Sequence, residues 1–215
     1  MFDVYITKAA KCLPNDAISN DEMEDYLGLI NETASKARRL ILRNNKIVSR
    51  YYAIDKNGNS THSNAELTKN AIQGLFDERF TAMDMELLSC GTSTPDLLIP
   101  SHAAMVHGLL KNKSVELNSS SGVCCAGMNA LKYGYLSIKS GNSQNAVCVG
   151  SEKLSSWLKS DKFEKEVDSL KKILDGKNIE IYSITKLNAS IQDTLKIFKL
   201  EKDALDFYKM RESEV

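Results

Sequence analysis

The stretch Ser119-Ser120-Ser121-Gly122-Val123-Cys124-Cys125-Ala126-Gly127-Met128 decides how this chain is read. It lies between an apolar run, Val115 to Asn118, and a helical pattern, Gly127 to Ile138, that Gly141 stops. A strand that enters a helix through small residues leaves room beside the helix N-terminus. The unpaired N–H groups and positive dipole end there favour an anion, and a thiol placed there is a candidate nucleophile. The same composition also fits a tight strand-to-helix turn with two packed cysteines, and composition alone does not separate the two.

Outward from this stretch, strand and helix signals alternate. Toward the N-terminus, Met85 to Cys90 is short and apolar and runs into Gly91-Thr92-Ser93-Thr94-Pro95-Asp96, a strand followed by a loop. A helix from His102 to Leu110 starts after Pro100-Ser101. Ser63 or Asn64 caps another, with Ala65, Leu67, Ala71, Ile72 and Leu75 on one face and an end near Phe76. On the far side, Asn145 to Gly150 is again a strand. The order predicts an α/β layered domain whose sheet is covered by helices and partly buried on both faces.

Nearer the N-terminus, Phe2 to Ile6 is expected to be a strand. Ser19-Asn20 with Asp21, Glu22 and Glu24 marks a helix start, and that helix ends near Gly28 to Asn31. Glu32 to Arg43 reads as a helix, Ile47 to Tyr52 as extended chain, and Asp55 to Asn59 as a turn. Beyond Glu152 the character changes. Leu154 to Asp175 is highly charged, Ile179 to Ile184 has the composition of a strand, and Asn188 to Phe198 that of an amphipathic helix.

The bulk composition excludes several functions. The chain has 215 residues, and its 28 basic and 28 acidic side chains cancel, so no net field draws it to nucleic acid or an anionic membrane. The basic clusters Lys36-Ala37-Arg38-Arg39 with Arg43, and Lys171-Lys172, read as solvated faces. Neither a signal peptide nor a membrane-spanning stretch is expected, and the odd, scattered set of cysteines suits a reducing cytoplasm. Its 5 cysteines, Cys12, Cys90, Cys124, Cys125 and Cys148, lack metal-ligand spacing, so no metal is expected and most read as small buried hydrophobes. His102 and His107 lie five residues apart in one helix, hence on different faces, and read as structural. Glu22, Glu24 and Asp25, and likewise Asp77 and Glu78, read as helix termini. No glycine-rich phosphate loop is present.

Val123-Cys124-Cys125-Ala126-Gly127-Met128-Asn129-Ala130-Leu131 resembles the nucleophile motif of the β-ketoacyl-acyl-carrier-protein synthase III family, with Cys125 on the catalytic position and Met128 in place of the usual Phe. Cys124 takes a position more often held by alanine and reads as packing. The flanks are similar in order and spacing. Leu88-Ser89-Cys90-Gly91-Thr92-Ser93-Thr94-Pro95-Asp96 with Ile99-Pro100-Ser101, and Ala146-Val147-Cys148-Val149-Gly150-Ser151-Glu152, both resemble family segments. Lys46-Ile47-Val48-Ser49-Arg50 resembles the family's Gly-Ile-x-x-Arg segment, with lysine in place of glycine.

The resemblance covers about residues 1–158, the N-terminal half of a thiolase-type synthase, with 159–215 a charged linker plus a remnant of the second half. It implies a thiolase-like layered α/β/α half with a mixed sheet. It also implies acyl transfer from an acyl-CoA or acyl-carrier-protein (ACP) thioester to Cys125, for condensation with a malonyl-type thioester. Arg50 is implied at the coenzyme A or carrier entrance, and Ile99 at the partner's acyl pocket in a dimer. No cofactor beyond the acyl-CoA or acyl-ACP substrate is implied. Arg50-Tyr51-Tyr52-Ala53-Ile54-Asp55 and Thr61-His62-Ser63-Asn64 are most similar to the aryl polyene and dialkylresorcinol branch of the family.

The family's Gly-Asp-Gly-Ala-Gly strand, its histidine and its asparagine are not recognisable. Leu187 to Tyr208 resembles the segment just before that histidine, so a middle section is missing. Condensation needs donors that hold the developing enolate, whereas acylation needs only the nucleophile and oxyanion stabilisation. Two readings therefore stand. One is an acyltransferase in fatty acid or polyene and resorcinol biosynthesis. The other is a non-catalytic thiolase-fold subunit that joins a homodimer or a hetero-oligomer with a related synthase. A cysteine hydrolase on another scaffold has little support, since no histidine stands at an expected strand end.

Overall fold

The computed structural model describes residues 2–35, 38–164 and 167–168. The segments Ile179 to Ile184, Asn188 to Phe198, Leu187 to Tyr208 and Lys171-Lys172 lie outside the described residues, as does the Lys36-Ala37 part of the first basic cluster. Among the described residues two compact units are present, one of residues 2–18 with Arg50–Leu158 and one built on Ser19–Ser49 with the described residues after Leu158. The two-residue strands β1 (Ile18–Ser19) and β2 (Ser49–Arg50) stand where the chain passes from one unit to the other.

The second unit contains α1 (Met23–Leu27), closed by Gly28 at φ 79°, and α2 (Arg38–Asn45). Glu24 joins them, accepting from the Ser35 amide at 3.0 Å and pairing with Arg38 at 2.9 Å. The helix expected from Glu32 is described from Arg38, and residues 32–35 are not helical. Asn31 and Glu32 both take left-handed φ, which keeps a helix from starting at Glu32.

The first unit is a parallel sheet in the order β4-β3-β5. β3 (Leu87–Gly91) is central and buried along its whole length, β4 (Glu116–Ser120) pairs on one side, and β5 (Ala146–Gly150) on the other. Parallel pairing requires a crossover between strands, and α4 (His102–Leu110) and α5 (Ala126–Ser140) supply the two. The mixed sheet expected from the resemblance is, among the described strands of this sheet, wholly parallel.

Side chains on β3 alternate between the two faces. Leu88 and Cys90 join Ala65, Ile72, Met85, Ala103, Val106 and Val147 in a core shared with α3 (Asn64–Gln73) and α4. On the other face, Ser89 donates to the Ala130 carbonyl at 2.9 Å, and the small buried residues Ala126, Ala130, Gly134 and Ser137 let α5 lie close to the strands. The result is the expected α/β/α layering. Ser63 starts α3 with a capping box, accepting from the Glu66 amide while Glu66 accepts from the Ser63 amide. Ser101 caps α4, and Gly141 at φ 84° ends α5.

Phe2 to Ile6 forms no strand, contrary to the sequence expectation. Strand propensity yields a strand only where a neighbouring edge offers N–H and C=O partners, and among the described residues the backbone bond this segment makes runs from the Phe2 amide to the Lys139 carbonyl, at 3.4 Å. Further along, the segment is held by Lys8, which donates to the Leu75 carbonyl at 2.8 Å and pairs with Asp77 at 2.7 Å.

Candidate active site

The C-terminal ends of three parallel strands meet at one edge of the first unit, and the loop after β4 carries Cys125 to that edge. Packing explains why the elements close so tightly there. A Cβ on Gly91 would lie 2.8 Å from the Gly127 nitrogen and closer still to the Ala126 carbonyl, so only glycine lets the end of β3 meet the start of α5. Gly127 and Gly150 face each other in the same way, a Cβ on either falling 3.1 Å from the other's Cα.

Cys125 is the N-cap residue of α5, with φ −117° and ψ −5°, and no side chain caps the helix. Among the described residues, the first-turn N–H groups of this uncapped helix stay open to another acceptor, apart from the Ala126 amide, which donates to the Gly122 carbonyl at 3.2 Å. The loop reaches this geometry through two left-handed residues, Gly122 at φ 144° and Cys124 at φ 63°. A Cβ on Gly122 would sit 3.0 Å from Cys125 Sγ. The thiol of Cys125 is free and exposed, and the Asn129 side-chain amide donates to it at 3.8 Å.

Further bonds fix the loop. Ser120 Oγ donates to the Ala126 carbonyl at 3.0 Å, and Ser93 Oγ to the Gly122 carbonyl at 3.1 Å. Glu152, just past β5, accepts from the Ser93 amide and from Thr94 Oγ1, each at 2.8 Å. Glu152 thus positions Ser93, and Ser93 positions the turn that presents Cys125. Asn129, Ser93 and Glu152 were not singled out from sequence. Asn129 had a readable signal, its i+4 spacing from Cys125 along one helix face, whereas the Ser93 and Glu152 bonds exist only once the strand ends are assembled.

The other sequence candidates lie on separate segments. Arg50 ends β2, half-buried, and its charge acts on Tyr52, whose hydroxyl is nonetheless pushed above the usual range by burial. Ile99 is 88% exposed in the loop ahead of α4. Cys124 is exposed, which corrects its reading as a packing residue: the left-handed turn at this position directs it outward instead of into the core. Cys90 does pack, and burial pushes its thiol up to about 12.

Among the described residues, no histidine hydrogen-bonds Cys125. His62 Nδ1 pairs with Thr61 Oγ1 at 2.9 Å and His107 Nε2 with the Lys113 carbonyl at 2.9 Å. His102, buried, shares Nε2 with Thr68 Oγ1 at 3.0 Å and Ser151 Oγ at 3.2 Å, and its Nδ1 has no partner among the described residues. Burial holds its pKa below the usual value, a shift partly opposed by Asp96 and Glu152. Among the described residues there is no group of three side chains able to hold a metal, and no helix long and apolar enough to cross a membrane.

No family model matches the chain. Among curated proteins it is 31% identical over 158 residues to the beta-ketoacyl-[acyl-carrier-protein] synthase III of Chlorobaculum tepidum, a match that takes in 71% of this chain and 44% of that protein. A beta-ketoacyl-[acyl-carrier-protein] synthase III 2 of Vibrio vulnificus is 29% identical over 155 residues, with 71% of this chain and 39% of that protein covered. Of solved structures, the tetronic acid condensing enzyme AbyA1 superposes with a TM-score of 0.60 at 21% identity, over 77% of this chain and 49% of that one. The 3-oxoacyl-[acyl-carrier-protein] synthase III of Aquifex aeolicus superposes with a TM-score of 0.56 at 25% identity, over 68% and 44%.

The layered α/β unit is that of a thiolase-fold protein. Within that class the chain is related to the β-ketoacyl-acyl-carrier-protein synthase III family, as the sequence resemblance implied. It spans less than half the length of the curated relatives it matches.

Proposed function

We propose that this chain performs the acyl-accepting step of a condensing enzyme of the synthase III type, with Cys125 as the nucleophile. The observation that carries this reading is the exposed Cys125 Sγ at the uncapped start of α5, beside the strand ends. In the reaction, the Cys125 thiolate attacks the carbonyl carbon of an acyl-CoA or acyl-carrier-protein thioester. The carbonyl oxygen becomes an oxyanion within reach of first-turn backbone N–H groups. Collapse breaks the original carbon–sulfur bond, the acyl group stays on Cys125, and the coenzyme A or carrier thiolate takes up the proton that Cys125 gave up. Asn129 orients the sulfur, and Glu152 through Ser93 holds the turn.

A malonyl-type thioester then loses carbon dioxide, its enolate carbon attacks the acyl carbonyl, and the carbon–sulfur bond to Cys125 breaks to release the thiolate, in fatty acid or polyene and resorcinol biosynthesis in the cytoplasm, with Arg50 toward the carrier and Ile99 toward a partner subunit. That second step needs enolate-holding donors from elsewhere, because no histidine among the described residues hydrogen-bonds Cys125. An acyl carrier and a second copy or a related synthase are the partners this reading requires.

A second reading, a non-catalytic thiolase-fold subunit, is favoured by one observation. Met128, Leu131, Tyr135 and Leu136 are all exposed on α5, an apolar face of the kind that another chain covers. Intact-mass measurement after incubation with acetyl- and longer acyl-coenzyme A separates the two. Acylation predicts one acyl increment on the parent chain and none on Cys125→Ala, while no increment on a folded parent chain supports the subunit reading.

A further inference from the structure

Cys124 and Cys125 are adjacent, and both are free and exposed. The left-handed φ of Cys124 at 63° keeps its side chain out of the core, so two thiols stand on the surface at one turn. No such exposure is found at Cys90 or Cys148, whose thiols burial pushes above the usual range. Cys12 is half-buried, so of the five cysteines only this pair is exposed, and oxidative chemistry at exposed thiolates falls first on it.

We propose that Cys124–Cys125 is a redox-modification site in which the two thiols close a reversible vicinal disulfide when a hydroperoxide reaches them. The Cys125 thiolate attacks the distal peroxide oxygen. An S–O bond forms, the O–O bond breaks, and the hydroperoxide leaves as an alcohol or water after taking up a proton. The sulfur, oxidised by two electrons, is then a sulfenic acid. The Cys124 thiolate attacks that sulfur, the S–O bond breaks, hydroxide leaves as water with the proton from Cys124, and an S–S bond forms.

Neighbouring Cα atoms across a trans peptide are about 3.8 Å apart, below the spacing of an unstrained disulfide. The bond is therefore strained and readily reduced by a small thiol, which suits a reversible cap and not a structural link. Gly122 at φ 144°, two residues before the pair, gives the turn the backbone freedom to adjust. Capture by Cys124 stops Cys125 at an oxidation level that a thiol can reverse, ahead of the irreversible sulfinic acid. None of this depends on acyl transfer.

The test treats the full chain with hydrogen peroxide, alkylates it with iodoacetamide and digests it with trypsin. Both cysteines fall in the peptide from Ser114 to Lys132. The exposed Met128 in the same peptide also gains oxygen, so the readout is the number of alkylated thiols. The expected result is a peptide that loses both alkylation sites together and regains both with dithiothreitol. In Cys124→Ser, checked for fold by circular dichroism, Cys125 is expected to reach the sulfinic acid and stay there after reduction. Three results would overturn the proposal: one thiol still alkylated while the other carries oxygens, a cross-link to Cys12, Cys148 or another chain, or closure at the same rate in the urea-unfolded chain.

Discussion

Replacing Gly91 by alanine should damage both the fold and the presented thiol. The added Cβ at the end of β3 would lie 2.8 Å from the Gly127 nitrogen, where ordinary contact begins at 3.4 Å, and it would press harder still on the Ala126 carbonyl. Even at the farthest of these atoms the shortfall is about 0.6 Å, and all of them are backbone, so rotamer changes cannot relieve it. The start of α5, with Cys125 at its N-cap, must move. Overpacking of this kind costs about 1–3 kcal/mol, and contact with backbone puts the expected loss at the upper end.

The matched control is Gly108→Ala inside α4, where a Cβ meets nothing within 4 Å. That change should stabilise by about 0.5–1 kcal/mol through helix propensity. Urea unfolding reports stability, and the iodoacetamide rate at Cys125, read from the tryptic peptide, reports presentation. Gly91→Ala with the parent's stability and the parent's Cys125 rate would refute the account of how β3 seats α5.

Three further outcomes follow from local geometry. The His102 pKa is lower folded than unfolded, so its neutral form stabilises the fold fully above the ordinary value of 6.5, and that contribution is lost as pH falls from there through the folded value. Unfolding measured between pH 8 and 5 should show this loss, and His102→Gln should flatten it. Cys90, buried with its thiol near 12, should resist iodoacetamide at pH 8 while Cys124 and Cys125 react first; mass mapping against time checks the order. Ser63→Ala removes one half of the α3 capping box and should cost about 0.5–2 kcal/mol, measured by urea unfolding.

Much of the layered unit was legible because its signals are local. Leu87 to Gly91 is a short apolar run because a central parallel strand is buried on both faces. Ser63 with Glu66, and Gly141, mark helix ends through bonds made within a few residues. What depends on distant neighbours was not legible. Phe2 to Ile6 carries strand-forming residues but pairs with no strand among the described residues, and the left-handed Asn31 and Glu32 keep a helix from starting at Glu32.

The candidate site divides along the same line. Cys125 stood out through the resemblance of its motif to the family's nucleophile motif, because small residues between a strand and a helix fit a packed turn as well as a nucleophile. The outward turn of Cys124 depends on a backbone angle that cysteine rarely adopts, and so its exposure was missed. The chain from Glu152 through Ser93 to Gly122 forms only when three strand ends meet.

The measurement that tests the central claim most directly is the location and lability of the acyl group after incubating the full chain with acyl-coenzyme A. The account predicts the acyl group on the Ser114–Lys132 peptide, at Cys125, and its removal by neutral hydroxylamine as a thioester requires. An acyl group resistant to hydroxylamine on lysine-bearing peptides, or none on a folded chain, would contradict it.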